Sequence, residues 1–97
     1  MSAERRPTHP GAVLREDVLP ASGLSVSDMA RRLRISRQTL HRILAEEQPV
    51  TTATALRLAQ LFGTSPESWL NMQRELDLWE ESRRLAGELA KIEQVAA

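Results

Sequence analysis

Two amphipathic helical runs separated by a very short gap constrain this chain more than any other feature. In VSDMARRL, residues 26–33, Val26, Met29, Ala30 and Leu33 recur at i, i+3, i+4 and i+7, the spacing of one helix face. In RQTLHRIL, residues 37–44, Leu40, Ile43 and Leu44 share one arc, while Arg37, Gln38, His41 and Arg42 fall within about 140° of one another on the other. Only Arg34, Ile35 and Ser36 lie between the runs, so the turn is tight. Ser36 is placed to cap the second helix, which is worth about 1 kcal/mol. Small Ala30 permits a close crossing, with Ile35, Leu40 and Ile43 locking one helix on the other. Two short helices so joined, the second presenting a polar outer face, have the sequence form of a helix-turn-helix at residues 26–45.

Around this unit the chain reads as all-α, with five helices. Residues 1–9 read as a flexible lead. Val13, Leu14, Val18 and Leu19 place a first helix ahead of Pro20 and Gly23, which are expected to break it. Ser25 with Asp28 resembles a capping box at the start of the second. A fourth helix is capped by Thr52, carries Leu56, Ala59, Leu61 and Phe62 on its apolar side, and ends at Gly63. Ser65 and Pro66 open the fifth, with Glu67 suited to its N-terminal dipole. Along it Trp69, Met72, Leu76 and Trp79 form one apolar stripe, and Leu78, Leu85, Leu89 and Ile92 a second, displaced around the helix. The core accounts for Trp69 and Met72. The rest exceeds what one small domain can cover, so Leu76, Trp79, Leu85, Leu89 and Ile92 are assigned to a dimer or partner interface. The resulting division is a lead at 1–9, a helix-turn-helix domain at 10–79 and a helical extension at 80–97.

Composition narrows the function. With 97 residues the chain suits one domain. It has no cysteine, which excludes thiol chemistry and cysteine-ligated zinc and fits a reducing compartment. No stretch approaches the roughly 20 apolar residues of a membrane span, and the N-terminus lacks a signal-peptide core, so no membrane association and a cytoplasmic location are expected. His9 and His41 stand apart, no glycine-rich phosphate loop occurs, and neither catalysis, a metal nor a cofactor is expected. The net charge is zero but unevenly spread: residues 26–45 hold five Arg against one Asp, residues 66–97 four basic against seven acidic side chains. A basic middle with an exposed polar helix points to double-stranded DNA. Arginine pairs bidentately with guanine and glutamine with adenine in the major groove, each good pair worth about 1 to 3 kcal/mol of discrimination. The candidate DNA contacts are therefore Ser36, Arg37, Gln38, Thr39, His41 and Arg42, with Arg31 and Arg34 as candidate phosphate contacts.

At HPGAVLREDVLPASGLSVSDMARRLRISRQTLHRIL and VTTATALRLAQLFGTSPESWLNMQRELDL, spanning residues 9 to 79, the chain resembles the HigA-type antitoxins, the VapI group, of the Cro/phage-repressor (XRE) helix-turn-helix superfamily. The HPG opening and the TALRLAQLFGTSPESWLNMQ block are the most specific parts. The resemblance implies a homodimeric antitoxin with no catalytic activity that binds an inverted repeat in its own promoter and neutralises a HigB/RelE-like ribonuclease toxin. It places the superfamily's base-reading positions on Arg37, Gln38 and Arg42, with Ser36 and Thr39 beside the backbone. A dimer would set two such helices about 34 Å apart, one turn of DNA. Some positions depart from the pattern. Val26 stands where a phosphate-contacting Gln is common, Arg34 where the turn commonly has Gly, and Glu46 and Glu47 where relatives carry an Asn-Gly turn and basic residues. A regulator without a toxin, and a toxin-binding protein with weak DNA binding, are the alternatives.

Overall fold

The computed structural model describes residues 5–96, and residues 1–4 of the expected lead lie outside it. Helix α1 spans residues 10–22 and is followed by α2 (Val26–Leu33), α3 (Arg37–Leu44), α4 (Thr52–Phe62), α5 (Pro66–Arg84) and a last turn, α6 (Ala86–Leu89). No strand occurs among the described residues. Met29, Ala30 and Leu33 of α2, Leu40, Ile43 and Leu44 of α3, and Ala55 and Leu58 of α4 close the core with Leu14, Val50 and Trp69. Each of α2 to α5 begins on a hydroxyl cap: Ser25, Ser36, Thr51 and Ser65 accept from the backbone N–H three residues on. The expected caps at Ser25, Ser36 and Ser65 hold. At α4 the cap is Thr51, with Thr52 the first helical residue, because either threonine of the pair can cap and backbone direction selects the one still extended.

Pro20 does not end α1. Residues Leu14–Val18 widen into a π-helical turn in which Leu19 N–H donates to the Leu14 carbonyl. An ordinary α-turn would drive the proline ring into the carbonyl four residues back; the extra residue per turn relieves that clash, and the helix runs on to Gly23, which takes the left-handed conformation.

Three apolar assignments change. Leu56 points outward, and Ala55 and Leu58 carry the buried side of α4, because the helix is rotated by about one position from the expected stripe. Leu76 is 1% exposed and belongs to the protomer's own interior rather than to a partner surface. The N-terminal segment and α1 pack back on α5 and bury it. The extension at 80–97 continues α5 to Arg84, breaks at Leu85, resumes for the single turn α6 and has no regular structure from Ile92 to Ala96. Gly87 follows the break, and an interior glycine costs about 1 kcal/mol of helix stability. Leu89 and Ile92 therefore do not continue the face that bears Leu78.

The described part of the lead is docked. His9 is buried and caps α1, its Nδ1 accepting from Gly11 N–H at 2.8 Å. Arg6 reaches Glu80 of α5 at 3.0 Å and Glu46 at 3.4 Å. Burial holds the His9 pKa below 6.5, against the opposing pull of Glu46. The neutral ring is the form that accepts the capping bond, so the native state binds this proton less readily than the unfolded chain. His9 thus contributes stability that is complete above pH 6.5 and is lost as pH falls below it, through the folded-state pKa. Urea midpoints should decline from pH 7 to 5.5, and His9→Asn, which keeps a cap acceptor without titrating, should flatten that slope; an unchanged slope in the variant would remove His9 as the cause.

Candidate nucleic-acid interface

Helix α3 turns its apolar arc fully inward. Leu40, Ile43 and Leu44 are buried, whereas Ser36, Arg37, Gln38, His41 and Arg42 are exposed and Thr39 is half-buried. The structure thus places Arg37, Gln38, His41 and Arg42 on one outward face, with Ser36 exposed at the helix N-terminus and Thr39 at the edge of the packed side. Arg31 lies on α2, in a surface ion pair with Asp28 at 3.2 Å, and Arg34 lies in the turn. Such exposed pairs are worth little, so Arg31 can exchange Asp28 for another anion.

The face is rigid because α3 is fastened at both ends. At its N-terminus Ser36 Oγ accepts from Thr39 N–H at 3.0 Å and donates to Thr39 Oγ1 at 2.8 Å. At its C-terminus Arg15 of α1 donates to the Leu44 carbonyl at 2.6 Å, and the same guanidinium pairs with Glu46 at 3.2 Å. Gly11 packs directly against the Ile43 carbonyl, where a Cβ would overlap the oxygen. The loop that follows is held by Gln73, a buried amide that accepts from Val50 N–H at 2.9 Å and donates to Asp77 at 2.9 Å. Arg57 of α4 donates to the Leu33 carbonyl at 2.9 Å and so closes the end of α2. Arg15, Gly11, Gln73 and Arg57 were not among the expected site residues. HPG offered a signal for Gly11, since glycine in the first turn of a helix calls for a close approach.

Both turns flanking α3 take a left-handed residue with a side chain: Arg34 at φ 60° and Glu46 at φ 63°. Glu46 faces α1 rather than open solvent. Burial works to raise its pKa, but hydrogen bonds from Arg15 and Arg6 outweigh burial and hold the carboxylate below its usual range. Its charge is thus matched by two guanidiniums, and Glu47 is the exposed carboxylate of the pair. The strain at Arg34 is testable. Arg34→Gly should raise stability by about 0.5–1 kcal/mol through relief of the left-handed conformation. Unchanged or lower thermal stability would show that Arg34 is comfortable there.

The described residues hold no group of three or more His, Cys, Asp or Glu arranged for a metal, and no helix among them is long and apolar enough to cross a membrane. Two packed helices with Ala30 buried on the first, a tight turn and an exposed polar face on the second define a helix-turn-helix domain, and the helix-turn-helix domain family matches residues 5–69. Within that class the chain belongs to the HigA/VapI group of the Cro/phage-repressor superfamily. It is 38% identical to an uncharacterized helix-turn-helix-type transcriptional regulator of Haemophilus influenzae, over 91% of this chain and 84% of that one. It is 44% identical to virulence-associated protein I of Dichelobacter nodosus, over 72% and 65%. The Pseudomonas aeruginosa antitoxin HigA, solved with the higBA promoter, superposes with a TM-score of 0.87 at 32% identity, over 94% of this chain and 100% of that one.

Proposed function

We propose that this protein is an antitoxin that represses its own operon, inserting α3 of each protomer of a dimer into the major groove of an inverted repeat, and that it neutralises a HigB/RelE-like ribonuclease toxin. The observation that carries the DNA-binding part is the outward row Arg37, Gln38, His41 and Arg42 on a helix fastened at both ends. A helix whose backbone is already fixed can carry its donors to base edges without further ordering of that backbone. Support comes from the antitoxin HigA solved with its promoter and from the antitoxin GraA solved in complex with its operator, which superposes with a TM-score of 0.86 at 35% identity, over 95% of this chain and 94% of that one. Arg37, Gln38 and Arg42 read bases, Ser36 and Thr39 lie beside the backbone with His41, and Arg31 and Arg34 approach phosphates.

Trp79 and Leu85 on the outer end of α5, with Leu78 beside them, supply the dimer face, and Leu89 and Ile92 beyond the break supply a surface for the dimer or the toxin. Leu78 and Ile92 are 64% and 70% exposed, one uncovered apolar side chain on each of these two surfaces. The acidic tail complements a basic partner. A regulator acting without a toxin is the second reading, favoured by the regulators among the relatives.

Fluorescence anisotropy on the protein's own upstream DNA and on a scrambled duplex, over a salt series, tests the repressor role. Tight, selective binding with a steep salt slope is expected. Arg37→Ala should lose about 1 to 3 kcal/mol on the cognate repeat and relax base preference there. Absence of selectivity in the parent at low salt would overturn DNA reading. Rescue from a neighbouring ribonuclease-like gene on co-expression tests the toxin half.

A further inference from the structure

Among the outward side chains Arg37, Gln38, His41 and Arg42, only Arg37 has a hydrogen-bond partner within the described residues. Its Nη1 donates to Ser27 Oγ at 3.0 Å, joining the first residue of α3 to the second residue of α2. The bond bridges ten residues of chain and is made at the surface, where both side chains are exposed. Water competes for both groups there, so the contact does little for stability, and its effect falls on the direction of the guanidinium.

We propose that Ser27 is the positioning residue for Arg37, setting which base pair Arg37 selects while touching no base itself. The inference rests on the reading that α3 enters the major groove. A guanidinium carries five N–H groups in a planar fork. Tethering Nη1 to the α2 side leaves the Nη2 and Nε donors turned away from α2, and two parallel donors are what the O6 and N7 acceptors of guanine require. A free arginine would also lose side-chain freedom on binding. One already held by Ser27 has lost part of it in the free protein, so less is lost at the interface. Gln38, His41 and Arg42 lack such a brace, and they should tolerate base changes better than Arg37 does.

The test compares parent, Ser27→Ala, Ser27→Thr, Arg37→Ala and the Ser27→Ala/Arg37→Ala pair, by anisotropy on the upstream repeat and on duplexes with each base pair changed singly. Ser27→Ala should weaken cognate binding about three- to tenfold, the worth of one hydrogen bond, and relax preference at the same base pair as Arg37→Ala. The pair should lose little more than Arg37→Ala alone, Ser27→Thr should restore selectivity, and the salt slope should match the parent's because no phosphate contact is removed. Thermal midpoints should be equal throughout. A uniform loss across all duplexes would overturn the proposal and make Ser27 a backbone contact. Additive losses, or no change in Ser27→Ala, would likewise overturn it. A parent that binds all duplexes alike would instead overturn the DNA-reading function itself.

Discussion

Gly11→Ala should destabilise the protein by about 3 kcal/mol and lower Tm by roughly 10–20 °C, a large share of what a domain of this size has to lose. The added methyl group would overlap the Ile43 carbonyl oxygen, and its nearest side-chain neighbour is Nδ1 of His9 at 3.0 Å. Neither can give way cheaply. The carbonyl belongs to the last turn of α3, and His9 is the buried cap of α1. Relief requires α1 to back away from α3, which also breaks the Arg15 bond to the Leu44 carbonyl. The variant should therefore lose DNA binding at temperatures where it is still partly folded. Gly87→Ala is the control, because a Cβ there meets nothing within 4 Å and helix propensity alone favours alanine. Equal melting of parent and Gly11→Ala would show that α1 does not hold the recognition helix in place.

That pair of substitutions also marks where a single sequence is legible. The α2–α3 unit could be read because its information is local: two stripes of 3.6-residue period, a serine cap and a short turn, all within twenty residues. The outward face of α3 followed from the same periodicity. What could not be read depends on contacts between distant parts of the chain. The approach of Gly11 to Ile43 is backbone against backbone across more than thirty residues: the HPG opening marks a close approach at Gly11, but nothing in the sequence names Ile43 as its partner. The αL residues Arg34 and Glu46 follow from turn geometry that favours glycine at both places, and the chain carries arginine and glutamate there. The strain is tolerated because the surroundings are tied: Arg57 to the carbonyl before Arg34, Arg15 and Arg6 to the Glu46 carboxylate. Pro20 signals a helix stop in any local reading, and only the π-turn ahead of it reverses that.

The division of α5 between core and partner leads to the second large effect. Leu76→Ala should cost about 3 kcal/mol and shift the melting of the monomer itself, because the side chain is fully enclosed within one protomer. Leu78→Glu, two residues on and 64% exposed, should leave monomer melting within about 0.5 kcal/mol of the parent. If the outer face of α5 joins two protomers, Leu78→Glu should instead dissociate the dimer in sedimentation equilibrium. It should also reduce affinity for a full inverted repeat about a hundredfold or more, with little change on a single half-site, because linked binding of two half-sites would be lost. Leu76→Ala should weaken both DNAs alike once corrected for its unfolded fraction. The pattern follows from helix geometry: residues two apart on α5 differ by about 200°, so one can be sealed under α1 while the other faces outward. A folded, monomeric Leu76→Ala with an unchanged Leu78→Glu dimer would reverse the assignment, placing the subunit contact on the stripe that the fold buries.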